Sequence, residues 1–157
     1  MVTRSDAPNH DERSDARTIL KQTGVEVHAG QFAVVSVRRE EWSRILKNNA
    51  LSPRGDAPFM IFSEVSEVTL VVDATDFDAI SPALADSRIE RGFRLLTFTA
   101  AMDFSVVGFL AEVSRVLAQA GIPIIALSSF SRDHLLVKQD DLADALKALG
   151  PHVDNLC

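Results

Sequence analysis

The sequence is poor in the residues on which several kinds of site depend. It has one cysteine, Cys157, which is its last residue, and it has no tyrosine and a single tryptophan. One cysteine cannot form a disulfide within the chain or build a cysteine-based metal site. No apolar run approaches the roughly 18 residues that span a membrane. Residues 1–20 also lack the apolar core of a signal peptide. We therefore expect a cytoplasmic protein without membrane contact.

The chain also lacks an excess of basic residues. Its formal net charge is −6 at pH 7, whereas a nucleic-acid surface needs a basic face. We therefore expect no nucleic-acid partner. Of its 157 residues, 46% are hydrophobic and 24% are charged, which is typical of a soluble globular protein. This length suits one ordinary domain or two small ones.

The motifs of common active sites are missing as well. There is no G-x-S-x-G turn, no phosphate-binding G-x-x-x-x-G-K loop and no G-x-G-x-x-G turn. No two of the four histidines have the i, i+4 spacing of a helical metal site. Asp140 and Asp141 are adjacent, but we interpret them as charges at a helix start rather than as an acid–base pair. The sequence thus predicts no catalytic residue, no metal site and no cofactor, and we expect that the protein is not an enzyme.

The first half of the chain predicts a tail followed by short elements. Residues 1–27 mix charged residues with Ser, Pro and Asn and contain no aromatic residue, so we predict a disordered tail with at most a helical turn at 17–22. After it, the patterns predict a strand at 32–37, a helix at 40–48, a loop at 51–58, strands at 59–63 and 68–73, and a short helix at 76–84.

The second half has clearer patterns. After a strand at 93–99, apolar residues recur every three or four positions from Val106 to Ala120, which predicts an amphipathic helix. We expect Ser105 to cap its start and Gly121 to end it. A nearly continuous apolar run at 122–130 predicts a central strand. A partner strand at 134–138, a helix at 140–149 and a short C-terminal tail at 151–157 follow.

A weak internal repeat links the two halves. Residues 68–72 and 76–77 align with 133–137 and 141–142, placing strand and helix start in register. With the order of elements, this predicts an α+β fold of two tandem ferredoxin-like βαββαβ units, at 28–91 and 92–150. The units would pack side by side, with antiparallel sheets and helices on one face. Because such small units leave sheet edges uncovered, we expect edge pairing or a homodimer.

Two segments could bind a ligand, and the first is M-D-F-S-V-V-G. At this point a strand stops and a helix begins, so unpaired backbone N–H groups and the positive end of the helix dipole favour a carboxylate. A glycine in the first turn would let a ligand come close. The alternative is an ordinary helix cap with tight packing. The residues are Met102, Asp103, Phe104, Ser105, Val106, Val107 and Gly108.

The second segment is S-S-F-S-R-D, at 128–133. Its hydroxyls could hydrogen-bond a carboxylate, and Asp133 could pair with an ammonium or a cationic side chain. The alternative is a hairpin bend built from common turn residues. Nothing in the predicted element order brings the two segments together within one unit. Across an edge-to-edge pair of units, they could converge on one cleft.

The same segments resemble the second half of small bacterial proteins built from two tandem ACT domains, the class related to the arginine-sensor ACT proteins of animals. The resemblance covers about residues 30–150. It implies a regulatory protein that holds an amino acid between ACT units, with a homodimer and a regulated protein as partners. The ligand-binding residues that it implies are Met102, Asp103, Phe104, Ser105, Val106, Val107, Gly108, Ser128, Ser129, Phe130 and Asp133.

The chain departs from that pattern in the second segment. Relatives commonly carry Ser-Thr where this chain has Ser128-Ser129, and Thr-Asp-Tyr or Thr-Asp-Phe where it has Arg132-Asp133-His134. Arg132 would either meet a ligand carboxylate or fill the cleft, and the identity of the amino acid stays open. The alternative function is a ligand-free dimerisation or docking module for another protein.

Overall fold

The computed structural model describes residues 16–48 and 57–157. Residues 1–15 of the predicted tail and most of the predicted loop at 51–58 lie outside the described residues. The helices are α1 Ala16–Lys21, α2 Arg39–Ile45, α3 Ala74–Ile80, α4 Phe109–Gln119 and α5 Leu142–Leu149. The strands are β1 Gly24–Val27, β2 Phe32–Arg38, β3 Met60–Ser63, β4 Glu67–Asp73, β5 Arg88–Phe98, β6 Ile125–Ser128, β7 Asp133–Lys138 and β8 Asn155–Leu156.

The chain divides into two compact units. Residues 28–95 form one, which we call the contiguous unit, and residues 1–27 with 96–157 form the other, the discontinuous unit. β5 contributes its residues 88–95 to the first and its last three to the second. The predicted boundary at residue 91 rests on the resemblance of Gly92-Phe93-Arg94 to the start of the second unit in the ACT proteins. That position lies within β5, which runs from Arg88 to Phe98.

The contiguous unit has the βαββαβ order of a ferredoxin-like fold: β2, α2, β3, β4, α3 and the first part of β5. Its strands lie in the order β3-β4-β2-β5, and each neighbouring pair is antiparallel. Alternate residues of β2 and β4 face the core, with Val35 opposite Leu70. Helices α2 and α3 complete the core through Ile45, Phe77 and Ile80.

The discontinuous unit repeats this plan with one change of connection. Its strands lie in the order β6-β7-β5-β1-β8. In the contiguous unit, the last strand lies beside the first. In the discontinuous unit, the strand beside β5 is β1, which precedes the contiguous unit in the sequence. β8 pairs with the other edge of β1. The predicted α+β ferredoxin-like fold is confirmed, although β8 is parallel to β1, so this sheet is mixed.

The structure corrects the prediction that residues 16–27 belong to a disordered tail. Leu20 of α1 and Val25 of β1 are 1% and 0% exposed and belong to the core of the discontinuous unit. The prediction was wrong because it rested on the polar composition of residues 1–27 as a whole, in which two apolar core residues carry little weight. Residues 151–157 are not a simple tail either, because the N–H of Val27 donates to the carbonyl of Cys157 at 2.9 Å beside the β1–β8 pair.

The start of α4 also differs from the prediction. The helix begins at Phe109, and Gly108 occupies its N-cap position with a φ of 88°. Ser105 lies ahead of the helix, in a turn where its backbone N–H donates to Oδ1 of Asp103 at 2.8 Å. An Asp side chain that captures a nearby N–H in this way competes with helix formation, which explains the later start.

The end of α4 is as predicted. Gly121 has a φ of 73°, and its N–H donates to the carbonyl of Ala118 at 3.0 Å. The N–H of Ile122 donates to the carbonyl of Leu117, also at 3.0 Å, so the helix closes with a Schellman motif. The predicted apolar stripe is confirmed at its buried members, Phe109, Val113, Val116 and Leu117.

The predicted central strand at 122–130 is instead a short edge strand. β6 covers only Ile125–Ser128, pairs with β7 alone among the described strands, and is largely exposed. The residues on either side of β6 belong to other local structures. Ile122 completes the cap of α4, and Ser129 donates its N–H to the carbonyl of Arg132 in a turn. The apolar run was continuous, but its residues serve three different local structures.

We expect Gly121→Ala to destabilise the discontinuous unit by about 1 kcal/mol, because an L-residue with a side chain disfavours the left-handed region. Gly30→Ala is the matched control, since Gly30 has no positive φ and an added Cβ would meet nothing within 4 Å. Urea unfolding measures both. Equal stabilities of the two variants would contradict the role of Gly121 in ending α4.

Candidate functional site

A cavity of about 420 Å³ lies on the discontinuous unit. It is bordered by the turn between β5 and α4 and by the turn between β6 and β7. The first turn contributes five predicted site residues: Met102, Asp103, Phe104, Val106 and Gly108. The second contributes four: Ser128, Ser129, Phe130 and Asp133. Ser105 and Val107, which were also predicted, do not line the cavity.

The first turn of α4 adds cavity-lining residues that the sequence reasoning missed, namely Phe109, Leu110 and Ala111. Their position directly after the predicted binding segment could have indicated that they line the same cavity. The second turn adds Ser131 and Arg132. Arg132 is the residue that the sequence predicts either to contact a ligand carboxylate or to fill the cleft.

The two turns meet within one unit, although the predicted order of elements did not bring them together there. The N–H of Met102 donates to the carbonyl of Ser131 at 2.9 Å. The rings of Phe104 and Phe130 lie edge to face, with centroids 5.0 Å apart. The reason is the pairing of β7 with β5, which brings the turn before β7 beside the turn after β5.

Two carboxylates of the cavity are held by neighbouring donors. The backbone N–H of Ser105 and then its hydroxyl hydrogen-bond Asp103 and hold the pKa of that carboxyl below its ordinary value. The hydroxyl of Ser128 donates to Oδ1 of Asp133 at 2.5 Å. Ionised carboxylates only accept hydrogen bonds. Asp103 takes two from Ser105, whereas Asp133 takes one from Ser128, so Asp133 is the group with more capacity for an ammonium or another donor.

A chain of polar contacts holds the second turn against β5. The N–H and the hydroxyl of Ser129 both donate to the carbonyl of Arg132, at 2.9 and 3.0 Å. The Oγ of Ser129 lies 3.3 Å from Nε2 of His134, whose Nδ1 lies 2.9 Å from Oγ1 of the buried Thr97. These contacts tie the turn to β5.

Arg132 differs from its neighbours. Its side chain is exposed, and its guanidinium makes no ion pair or side-chain hydrogen bond with the residues that the structure describes. Phe104 and Phe130 are also exposed, by 78% and 81%. The cavity therefore combines two carboxylates, a guanidinium, hydroxyls and two accessible phenyl rings.

Other kinds of site are not seen in the described part of the chain. Across residues 16–48 and 57–157, no cluster of three or more His, Cys, Asp or Glu side chains is placed to hold a metal ion. Over the same residues, none of the helices has both the length and the apolar character needed to traverse a bilayer.

One protein family matches part of the chain. Residues 88–150 match the family model described as the ACT domain. No curated protein matches the chain.

Solved structures match almost the whole chain. A protein from Agobacterium tumefaciens is 21% identical, with a TM-score of 0.68 over 87% of this chain and 92% of that one. A Vibrio cholerae protein of unknown function, described as a possible transport protein, is 25% identical, with a TM-score of 0.64 over 87% and 94%. The regulatory subunit of aspartate kinase from Thermus thermophilus is 15% identical, with a TM-score of 0.61 over 85% and 98%. These similarities establish the fold.

Proposed function

We propose that the protein is a non-enzymatic regulator that binds a free amino acid in the cavity of its ACT domain. The observation that carries this proposal is the meeting of the two predicted binding segments in one cavity. The similarity to a regulatory subunit of aspartate kinase supports it. The tandem arrangement is part of the proposal, and the repeat of β4–α3 by β7–α5 supports a second ACT unit at residues 28–95.

The polar groups of the cavity suggest how an amino acid would be held. Asp133 would accept hydrogen bonds from the ammonium, and the Ser129 hydroxyl lies in the same turn as a supporting group. Ligand binding would favour whichever state of the protein binds it better, in proportion to the difference in affinity. The signal would then pass through a change in assembly or in contact with a protein partner.

The test is the thermal stability of ligand-free protein against each of the twenty amino acids at millimolar concentration. A ligand at about 100 times its Kd adds about 2.7 kcal/mol, which raises the Tm of a chain of this size by roughly 5–11 °C. One clear hit would support an amino-acid sensor. A flat panel would contradict it.

We expect Asp133→Ala to weaken binding of the responding amino acid about tenfold or more, because a hydrogen bond to a charged group is lost. Asp140→Ala is the matched control, since Asp140 is exposed and does not line the cavity. Calorimetric titration gives both affinities. Equal affinities of the two variants would remove Asp133 from the site.

A docking or dimerisation module is the second candidate function, and one observation favours it. The edge strand β3 and its flanks on the contiguous unit expose several apolar side chains: Phe59, Ile61, Phe62 and Val65. Exposed edges of this kind invite pairing with another chain. Light scattering after size exclusion tests the predicted homodimer, and a monomer at all concentrations would argue against self-association.

A further inference from the structure

We propose that the ligand is an α-amino acid with an apolar, and preferably aromatic, side chain. Phe104 and Phe130 would contact that side chain, and Arg132 would bind the α-carboxylate. This inference rests on the proposed function of the same cavity and narrows its ligand to one chemical class.

The aromatic pair supports an apolar side chain. Both rings line the cavity and are more than three-quarters exposed, although the turns that carry them are tied together by the Met102–Ser131 hydrogen bond. They lie edge to face at 87°. A third ring could join this pair in an edge-to-face or offset arrangement and bury apolar surface on both sides.

The charged groups of the cavity match the head group of an amino acid. Arg132 is the cation among the described lining residues, and it has no charged partner there. A guanidinium binds a carboxylate through two parallel hydrogen bonds. The adjacent Asp133 has one oxygen that takes the Ser128 hydroxyl, and its carboxylate can accept further donors. Together, the two side chains offer one cation and one anion to a zwitterion.

The remaining lining disfavours a charged ligand side chain. Asp103 already accepts hydrogen bonds within its own turn. Several other lining side chains are apolar, among them Met102, Val106 and Leu110. A charge placed against them would lose water without gaining a partner. An apolar side chain has no such loss of favourable hydration at these residues.

Calorimetric titration of the full chain tests the ligand class. The probes are L-phenylalanine, L-leucine, L-arginine, L-aspartate and glycine, with 3-phenylpropionate lacking the ammonium and 2-phenylethylamine lacking the carboxylate. We expect L-phenylalanine to bind at least about tenfold more tightly than L-arginine, L-aspartate and both truncated probes, since each lacks a matched contact.

Two variants assign the contacts. Phe130→Ala should weaken L-phenylalanine binding about tenfold and leave glycine binding unchanged, because only the ring contact is removed. Arg132→Gln should weaken the binding of L-phenylalanine but not that of 2-phenylethylamine, which has no carboxylate. Phe62→Ala, an exposed phenylalanine outside the cavity, is the control and should change neither affinity.

The outcomes separate this inference from the proposed function. Tightest binding of L-arginine or L-aspartate, lost in Asp133→Ala, would overturn the apolar ligand class and leave the amino-acid sensor in place. L-Phenylalanine binding that survives Phe130→Ala and Arg132→Gln would overturn the assigned contacts. If no amino acid binds, both the inference and the proposed function are wrong.

Discussion

Replacing Leu20 by alanine is expected to lower the free energy of unfolding by about 2–5 kcal/mol, the range for a leucine removed from a packed core. Leu20 is 1% exposed and belongs to the same core as Phe109 and Val113 of α4. An ion pair between Arg17 and Glu112, at 3.2 Å, links the same two helices on the surface. Because the Arg17 side chain is 69% exposed, that pair should contribute little, so the apolar contact dominates.

The control for Leu20→Ala lies two residues away. Thr18 is an exposed residue of the same helix, and Thr18→Ala should change stability by at most about 0.5 kcal/mol. Urea unfolding followed by circular dichroism measures both variants. If they unfold at the same urea concentration, α1 is not part of the core and the sequence-based prediction of a tail through residue 27 would be restored.

Phe77→Ala is expected to destabilise the contiguous unit by about 3–5 kcal/mol, since a buried phenyl ring is removed and a cavity is left. Phe77 is 2% exposed and packs with the core of β2 and β4. The guanidinium of Arg91 lies 4.1 Å from its ring centroid. This cation–π contact adds about 0.5–1 kcal/mol at an exposed site, a minor part of the expected loss.

The chain offers the same substitution at an exposed position of the same unit. Phe62 in β3 is 59% exposed, so Phe62→Ala should change stability by at most about 0.5 kcal/mol. The single tryptophan, Trp42, packs against the core of the contiguous unit, and its fluorescence therefore follows this unit during urea unfolding. Equal effects of the two substitutions would contradict the assignment of Phe77 to the core.

The elements that the sequence predicted correctly are those with a local signal. β2 follows from the run F-A-V-V-S-V, which is rich in residues that favour strands. In α4, the apolar stripe and Gly121 mark the buried face and the end. Each of these features depends on neighbours within a few positions of the same segment.

The elements that were missed depend on distant partners. β1 has four residues, and its backbone is satisfied by β5 and β8, so no pattern within G-V-E-V announces it. β6 was predicted wrongly for a related reason. Its apolar residues indicate a strand that could be buried, but burial depends on whether another element covers the strand, and β6 is largely exposed. For the site, loop composition and family resemblance indicated both segments. Their meeting within one unit depends on the β5–β7 pairing, which the sequence did not specify.

The discontinuous unit has a consequence for synthesis on the ribosome. Gly24 bonds through its N–H to Oγ1 of Thr99, 75 positions later. At about 5–20 residues per second, the ribosome makes Thr99 about 4–15 seconds after Gly24. All of residues 28–95 are translated in that interval. The inserted unit can therefore fold while the first segment waits for its partner strands, so the nascent chain matures from its middle outward.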